Sequence, residues 1–263
     1  MSTPPLTETS LSDLCGWPDE PGCPVPSSFA QRMAHIDRRI GACLRVMRCD
    51  VRVDTMAELT IRARLNSWSR DGARSIGGSC HLLRTADGWA AVNLARDDDH
   101  AVIAALLGTP TRAGRVVLSD AARALATLDA RRFDELFADM GLPVARLGET
   151  VLVERDFVDP VRRTVVAGAH RDDHAPHRRP LVVDLSSMWA GPLCSRILRL
   201  AGFDVVKVES TSRPDGARRG HPAFYAHLNA GKDNVTFDFA DRGDISRLAS
   251  LIASADVVIE GSR

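Results

Sequence analysis

The sequence predicts an α/β protein in which the last third of the chain forms a parallel sheet. Two short apolar runs, residues 181–185 and 203–208, have the composition of buried strands. Between them, leucine and isoleucine recur at helical spacing over 193–200, and Gly202 ends the segment. A strand, a helix and a strand within about thirty residues form a parallel crossover. This pattern indicates the first half of a Rossmann-like parallel sheet domain.

Two more strands are expected near the carboxyl terminus, at 235–239 and 257–260. The helix predicted between them, over 241–254, directs four apolar side chains inward: Ile245, Leu248, Leu251 and Ile252. Ligands of such sheets bind at the carboxyl ends of the strands. One loop at such an end is cationic, with Arg213, Arg218 and Arg219, and Lys207 lies near it in sequence.

The rest of the chain predicts an amino-terminal helical and α+β region. Residues 1–27 are rich in proline and form an irregular lead-in, residues 28–167 form the α+β region, and the polar residues 168–180 link it to the sheet domain at 181–263. Helices are expected over 28–48, 54–66, 97–107 and 119–140. A hairpin is expected from 80–84 and 89–94 around Asp87-Gly88, and an edge strand over 142–147.

Composition excludes several classes of protein. Lysine plus arginine equals aspartate plus glutamate at 34 each, so no overall charge favours nucleic acid or a membrane as partner. No secretory signal opens the chain and no apolar run is long enough to cross a bilayer, so a cytoplasmic location is expected. The six cysteines form no CxxC pair and are expected to be free, buried thiols.

No metal is expected. His170 and His174 have the spacing of zinc ligands on a helix, but Pro176 and Pro180 argue against a helix there, and a solvated linker is favoured. The same linker contains His177. The acidic run 97–99 is explained by capping and the helix dipole at a helix start.

Short motifs in the last third occur in an order that resembles the family III CoA-transferases, the carnitine dehydratase and bile-acid-inducible CoA-transferase family, which includes carnitine and formyl CoA-transferases. The motifs are Asp184-Leu-Ser, Ala190-Gly-Pro192, Ala201-Gly-Phe-Asp-Val-Val-Lys-Val-Glu209, Arg213-Pro-Asp-Gly216, Leu228-Asn-Ala-Gly-Lys232, Val235-Thr-Phe-Asp238 and Ala255-Asp-Val-Val-Ile-Glu260.

The order of the domains differs from that of the family. Residues 80–94 resemble the hairpin of the family's small domain, which normally lies later in the chain, so a permuted or fused form is expected. The family's catalytic aspartate lies beyond the position matched by Arg263. The resemblance therefore implies an amino-terminal portion of a longer enzyme, with no catalytic residue of its own, and a homodimer when full length.

The resemblance also implies a site for CoA. By this likeness, contacts come from Met188, Trp189 and Ala190, from Ser210, from Phe237, Asp238, Phe239 and Ala240, and from Gly261, Ser262 and Arg263. The family often has arginine where this chain has Ser210, so Arg213 or Arg218 would have to bind phosphate instead. Gly261 replaces a frequent asparagine. Phosphates require cations or backbone amides, and adenine requires an apolar slot.

The implied reaction moves CoA between an acyl-CoA and a free carboxylate, both small-molecule substrates, through an aspartyl intermediate. None of the aspartates of this chain fits that role, so the chain alone is expected to be inactive. The alternative is a non-catalytic CoA- or nucleotide-binding module. An NAD(P)-dependent short-chain enzyme is disfavoured because the glycine fingerprint is missing and Asn229 replaces lysine four residues after Tyr225, the only tyrosine.

Overall fold

The structure is a computed structural model, and it describes residues 11–137, 140–149 and 179–261. The described residues form two compact units, one containing 24–67 and 179–261 and the other containing 12–23, 68–137 and 140–149. The helices are α1 (Ser27–Val46), α2 (Thr55–Leu65), α3 (Asp97–Leu107), α4 (Leu118–Leu125), α5 (Ala130–Phe137), α6 (Ala190–Leu200), α7 (Pro222–Asn229) and α8 (Arg242–Ser254). The strands are β1 (Cys80–Arg84), β2 (Trp89–Asn93), β3 (Thr111–Arg112), β4 (Arg115–Val116), β5 (Val144–Arg146), β6 (Leu181–Asp184), β7 (Asp204–Ser210), β8 (Asp233–Phe237) and β9 (Val257–Ile259).

The first unit is built on a parallel four-stranded sheet with strand order β8-β7-β6-β9. β6 lies inside the sheet between β7 and β9, and its Val182 and Val183 are completely buried. Such apolar runs are typical of strands covered on both faces. The prediction of an α/β protein with a parallel sheet in its last third is therefore confirmed.

The two faces of this sheet differ in chemistry. The register pairs Asp184 with Lys207, and side chains alternate along a strand, so Asp184, Lys207 and Glu209 lie on one face. Val206 and Val208 lie on the other. The hydroxyl of Ser195 in α6 donates a hydrogen bond to Asp184, and α6 therefore covers the polar face.

Pairing between strands shifts the element boundaries away from those predicted. β8 begins and ends two residues earlier than expected, because it pairs with β7 from Asp233 opposite Val206 to Phe237 opposite Ser210. α6 begins at Ala190, three residues earlier than the predicted segment, with Pro192 in its first turn, where a missing N–H is harmless. It ends before Gly202, whose φ of +95° lies in the region that glycine tolerates best.

The first unit also contains α1 and α2. Leu44 and Val53 pack against Ala201 at the end of α6. Glu58 in α2 receives a hydrogen bond of 3.0 Å from Arg196 and lies 2.7 Å from His227 in α7. The division expected from sequence put residues 28–167 in one region, whereas these contacts group α1 and α2 with the parallel sheet.

The second unit contains an antiparallel sheet of order β1-β2-β5, with α3, α4 and α5 contributing to one apolar core. β1 and β2 form the expected hairpin around Asp87-Gly88. α3 begins as predicted in the acidic run, where the Asp99 carboxylate accepts a hydrogen bond of 2.9 Å from the Arg96 amide. A short hairpin of β3 and β4 was not predicted.

The single helix predicted over 119–140 is wrong, because α4 and α5 are separate helices. The Asp129 carboxylate accepts a hydrogen bond of 2.8 Å from the amide of Arg132 and so caps the start of α5. Aspartate is a favoured residue at such a cap, and the apolar periodicity that suggested one helix does not reveal this break.

The solvent exposure of several side chains differs from two further predictions. Ile245 in α8 was expected to face inward but is 45% exposed. All six cysteines are free, yet four of them are exposed rather than buried: Cys15, Cys23, Cys43 and Cys194. His170, His174 and His177 lie outside the described residues. Within the described ranges, no group of three potential metal ligands comes together, and no helix has the length and apolar character required to span a bilayer.

Candidate functional site

The site residues expected from the sequence follow the carboxyl ends of the four parallel strands, which we call the carboxyl edge. Each strand contributes one segment: Met188–Ala190 after β6, Ser210 with Arg213 and Arg218 at β7, Phe237 with Asp238–Ala240 at β8, and Gly261 after β9. Ser262 and Arg263 lie outside the described residues. Because parallel strands end at the same edge of a sheet, these segments are neighbours there.

The loop between β6 and α6 has an unusual backbone. Met188 has a φ of +74°, in the left-handed region that residues with a side chain rarely adopt. Its side chain is exposed, whereas Trp189 is half-buried and meets the ring of Phe224 edge-on at 5.6 Å between centroids. A Cβ at Gly191 would lie 2.0 Å from the Ser186 hydroxyl oxygen, so this turn requires glycine. The exposed part of the loop is therefore Met188 and Ala190.

The cationic loop after β7 contains one arginine that is already paired. Arg218 donates from Nη2 to Oε1 of Glu209 at 2.7 Å and from Nε to Oε2 at 3.0 Å, and its guanidinium lies 4.2 Å above the centre of the Tyr225 ring. The Tyr225 hydroxyl also donates to Glu209, at 2.7 Å. Arg213 and Arg219 are exposed in the same loop. All three arginines therefore face solvent, and Arg218 is held in place by Glu209.

The remaining predicted residues differ in their access to solvent. Ser210 is buried, with its hydroxyl oxygen 3.0 Å from that of Ser212. Asp238 folds back on its own loop, because its carboxylate accepts the Ala240 amide at 2.9 Å. Phe239 is 48% exposed and Gly261 is also exposed. An apolar surface from Phe239 is therefore available at the end of β8, while Ser210 is covered.

A buried ion pair that the sequence analysis missed lies beneath the carboxyl edge. The side chains of Asp184 and Lys232 are 0% exposed, and their charged atoms are 3.2 Å apart. Asp184 also accepts hydrogen bonds from the amide and hydroxyl of Ser186 and from the Ser195 hydroxyl. The Lys232 ammonium donates to three further oxygens, those of Ser195 at 2.7 Å, Pro192 at 2.9 Å and Asn229 at 3.0 Å.

A second buried pair joins the loops that follow β6 and β7. Lys207 lies 3.2 Å from Oδ2 of Asp215, and each side chain is 1% exposed. Lys207 also donates to the carbonyl oxygen of Ser186. Oδ1 of Asp215 accepts two backbone amides, those of Met188 at 2.9 Å and Ala217 at 2.9 Å. The two loops are therefore attached to one buried carboxylate.

Electrostatics keep the carboxylates of Asp184 and Glu209 ionised in spite of their burial. Burial alone would raise the pKa of Asp184, but hydrogen bonds from Ser186 and Ser195 and the charges of Lys207 and Lys232 hold it below its usual value. Burial likewise opposes ionisation of Glu209, yet its bonds with Arg218, the Asp215 amide and Tyr225 lower its pKa to about 2.

The pKa values of Lys232 and Tyr225, which contact these carboxylates, are also shifted. Burial lowers the pKa of Lys232, against the opposing effect of Asp184. Burial and the neighbouring Glu209 raise the pKa of Tyr225. The network thus holds charged carboxylates under the loops of the carboxyl edge, with neutral Tyr225 as a donor.

A compositional signal could have identified part of this network. The sequence has only two lysines, Lys207 and Lys232, against 32 arginines, and both are buried donors. Lysine supplies a compact charge with three donors, which suits a crowded buried site better than a planar guanidinium. Lys207 is near the cationic loop in sequence, but its side chain lies in the sheet and contacts Asp215.

A parallel sheet with its exposed loops at the carboxyl edge defines the last third as an α/β unit of the kind that binds ligands at its strand ends. Residues 180–263 match the family described as CoA-transferase family III. This part of the chain is thus similar to a family of CoA-transferases. No solved structure matches the chain significantly.

Curated relatives match part of the chain. A succinyl-CoA:mesaconate CoA-transferase of Haloarcula hispanica is 35% identical over 89 residues, covering 30% of this chain and 22% of the relative. An acyl-CoA transferase of Fusarium pseudograminearum is 32% identical, covering 30% and 21%, and an acetyl-CoA:oxalate CoA-transferase of Acetobacter aceti is 28% identical, covering 32% and 23%. The chain thus spans between a fifth and a quarter of the length of these relatives.

Proposed function

We propose that the carboxyl edge of the parallel sheet binds CoA, and that the chain supplies this site to an enzyme that moves CoA between an acyl-CoA and a carboxylate. The observation that carries the proposal is the junction of the β6 and β7 loops within a segment of CoA-transferase family III. The relatives named above are CoA-transferases that differ in the acids they handle, so CoA is the part of the substrate that they share.

The strand order also supports this proposal. With β6 as the first strand, the order β8-β7-β6-β9 reads 3-2-1-4, as in the first half of a Rossmann-like sheet. In such sheets the ligand crevice opens where the strand order reverses, which here lies between β6 and β9. Met188, Ala190 and Gly261 follow these two strands and are exposed. We therefore assign the centre of the CoA site to this crevice.

The residues present fit the chemical parts of CoA. Exposed Arg213 and Arg219 offer cations for phosphates, and the first amides of α6 have no side-chain cap and carry the positive end of the helix dipole. Met188 and Phe239 offer exposed apolar surface for adenine or the pantetheine arm. Buried Ser210 makes no contact in this assignment, and Arg218 contributes only the donors that Glu209 does not use.

The reaction proposed for the whole enzyme is covalent catalysis by an aspartate. Its carboxylate attacks the thioester carbonyl and expels the CoA thiolate, which leaves a mixed anhydride. The thiolate then attacks the aspartyl carbonyl, releasing the first acid and forming an aspartyl-CoA thioester. Three features of this chain support a nucleophile outside it: Asp184 is buried and fully bonded, Asp204 is at the opposite edge of the sheet, and Asp238 bonds its own loop.

CoA binding and CoA transfer are therefore distinct functions. Binding is the function assigned to this chain, and transfer belongs to the complete active site. A non-catalytic CoA-binding module is the second candidate, favoured by the same three observations on the aspartates. The family relationship supports a homodimer and the cytoplasmic location expected from the sequence as further parts of the proposal.

Calorimetric titration of the 263-residue chain with CoA tests the proposal. We expect Arg213→Ala to weaken CoA binding about tenfold, the effect of losing about 1.4 kcal/mol from a charge-assisted phosphate contact. The matched control is Arg179→Ala, which removes a 74% exposed arginine at the opposite edge of the sheet and should leave binding unchanged. Absence of CoA binding to the unmodified chain, or equal binding by both variants, would contradict the assignment.

Assay of the same chain for CoA exchange between an acyl-CoA and a carboxylate tests the assignment of the nucleophile to a position outside it. We expect CoA binding without exchange. Exchange that persists in the purified chain would place a nucleophile among its own residues and contradict the assignment of the catalytic aspartate outside it.

A further inference from the structure

The backbone of the β6 loop requires an external support. Met188 holds a left-handed φ of +74°, and Trp189 follows with φ −135° and ψ −67°, outside the helical region that begins at Ala190. Strained conformations of this kind persist only where surrounding contacts fix them. The Trp189 ring is fixed against Phe224, but the backbone at Met188 needs a partner of its own.

Asp215 is that partner. Its Oδ1 accepts the Met188 amide at 2.9 Å and the Ala217 amide at 2.9 Å, so one oxygen joins the β6 loop to the β7 loop. Gly216 lies beside the Met188 side chain, because a Cβ there would meet the Met188 sulfur at 2.8 Å. Lys207 holds the other carboxylate oxygen at 3.2 Å and bonds the Ser186 carbonyl two residues before Met188.

We propose that Asp215, oriented by Lys207, is a positioning residue that sets the geometry of the CoA-binding loop Met188–Ala190 without touching the ligand. Both side chains are 1% exposed, so neither is available to a bound molecule. The inference rests on the proposed function for its consequence, which is CoA affinity. Its structural part, the fixing of the Met188 amide, stands independently of any ligand.

Two double variants isolate the acceptor at position 215. Asp215→Ala/Lys207→Met and Asp215→Asn/Lys207→Met both lack the two buried charges, so neither leaves a single charge unpaired. Asparagine keeps a carbonyl oxygen that can accept the Met188 and Ala217 amides, and alanine does not. Asp204→Asn, at the exposed start of β7, is the control for a change of aspartate at the other edge of the sheet.

The first measurement is hydrogen exchange at residue resolution on the ligand-free chain. We expect the Met188 amide to exchange at least tenfold faster in the alanine variant than in the asparagine variant, while the amides of β6 and β7 stay equally protected. Asp204→Asn should match the unmodified chain. Equal exchange at Met188 in the two double variants would overturn the inference.

The second measurement is CoA affinity by calorimetry on the same proteins. We expect CoA to bind the alanine variant at least fivefold more weakly than the asparagine variant. Equal affinity despite different exchange would show that the loop geometry does not matter to CoA, and would also overturn the inference. If exchange differs as expected but the unmodified chain does not bind CoA, the proposed function fails while the fixing of the loop by Asp215 is upheld.

Discussion

Removing Lys232 tests the buried ion pair under the carboxyl edge. Its ammonium is completely buried and donates to Asp184, Ser195, Asn229 and the Pro192 carbonyl. Methionine has a similar length and fills the same space, so Lys232→Met removes the charge and the four hydrogen bonds without creating a large cavity. Asp184 then remains as a buried carboxylate that has lost its nearest cation.

The expected loss of stability follows from that uncompensated charge. Removing one partner of a buried pair costs about 3–5 kcal/mol, a large share of the 5–15 kcal/mol that stabilises a typical domain. Replacing both partners removes most of this penalty, so Asp184→Asn/Lys232→Met should lose only about 1–2 kcal/mol. The difference between the single and double variants measures the coupling between the two residues.

Hydrogen exchange of the β6 and β7 amides measures the free energy of opening of this unit alone. The control is Arg247→Met, which changes a 73% exposed cation on α8 and should alter stability by less than about 0.5 kcal/mol. The deficit of Lys232→Met should shrink as the pH falls, because protonation of Asp184 removes the unpaired charge. A single variant no less stable than the double variant would refute this account of the polar face.

Three further predictions concern the neighbouring loops. Gly191→Ala should destabilise the first unit by about 1–3 kcal/mol in the same hydrogen-exchange measurement. Gly261→Ala should be neutral, because its Cβ would meet no atom within 4 Å. Equal effects of the two substitutions would contradict the close packing of the turn. Spectrophotometric titration should show the phenol of Tyr225 ionising well above pH 10, and Glu209→Gln should move the pKa of Tyr225 back towards 10. An ordinary tyrosine pKa in the unmodified chain would contradict the contact between Tyr225 and Glu209. The pKa of Glu209 falls from 4.5 to about 2 on folding, so its contribution to stability is complete above pH 4.5 and is lost as the pH falls towards 2. Acid unfolding of Glu209→Gln should therefore lack that part of the pH dependence.

The sequence predicted the elements whose apolar pattern is local. The runs 181–185 and 203–208 became β6 and β7 because their valines are buried in adjacent parallel strands. Boundaries were less predictable, since the limits of β8 are set by its pairing with β7 and not by its own composition. α7 was not predicted, and its packing against α2 and α6 is a tertiary contact that local composition does not reveal.

The candidate site shows a similar division. The loops of the carboxyl edge could be named from the order of their motifs, because each motif is continuous in sequence. The network beneath them could not, since Asp184 meets Lys232 across 48 residues and Met188 meets Asp215 across 27. Arg218 was one of two arginines proposed to bind phosphate, and its bond with Glu209 depends on how the chain returns after β7, which the sequence does not show.

The polar face of the sheet raises the question of why three charged residues occupy the positions of core side chains. Well-packed apolar residues at Asp184, Lys207 and Glu209 would stabilise a sheet as well as or better than buried ion pairs. An apolar residue at position 207, however, could not donate to the Ser186 carbonyl. It also could not pair with Asp215, which accepts the Met188 amide. The arrangement gives up stability in the core and fixes the backbone of two exposed loops. A loss of core stability together with fixed loops is expected where a ligand needs a defined loop geometry. The polar face therefore supports a binding site at the carboxyl edge more strongly than a purely structural role.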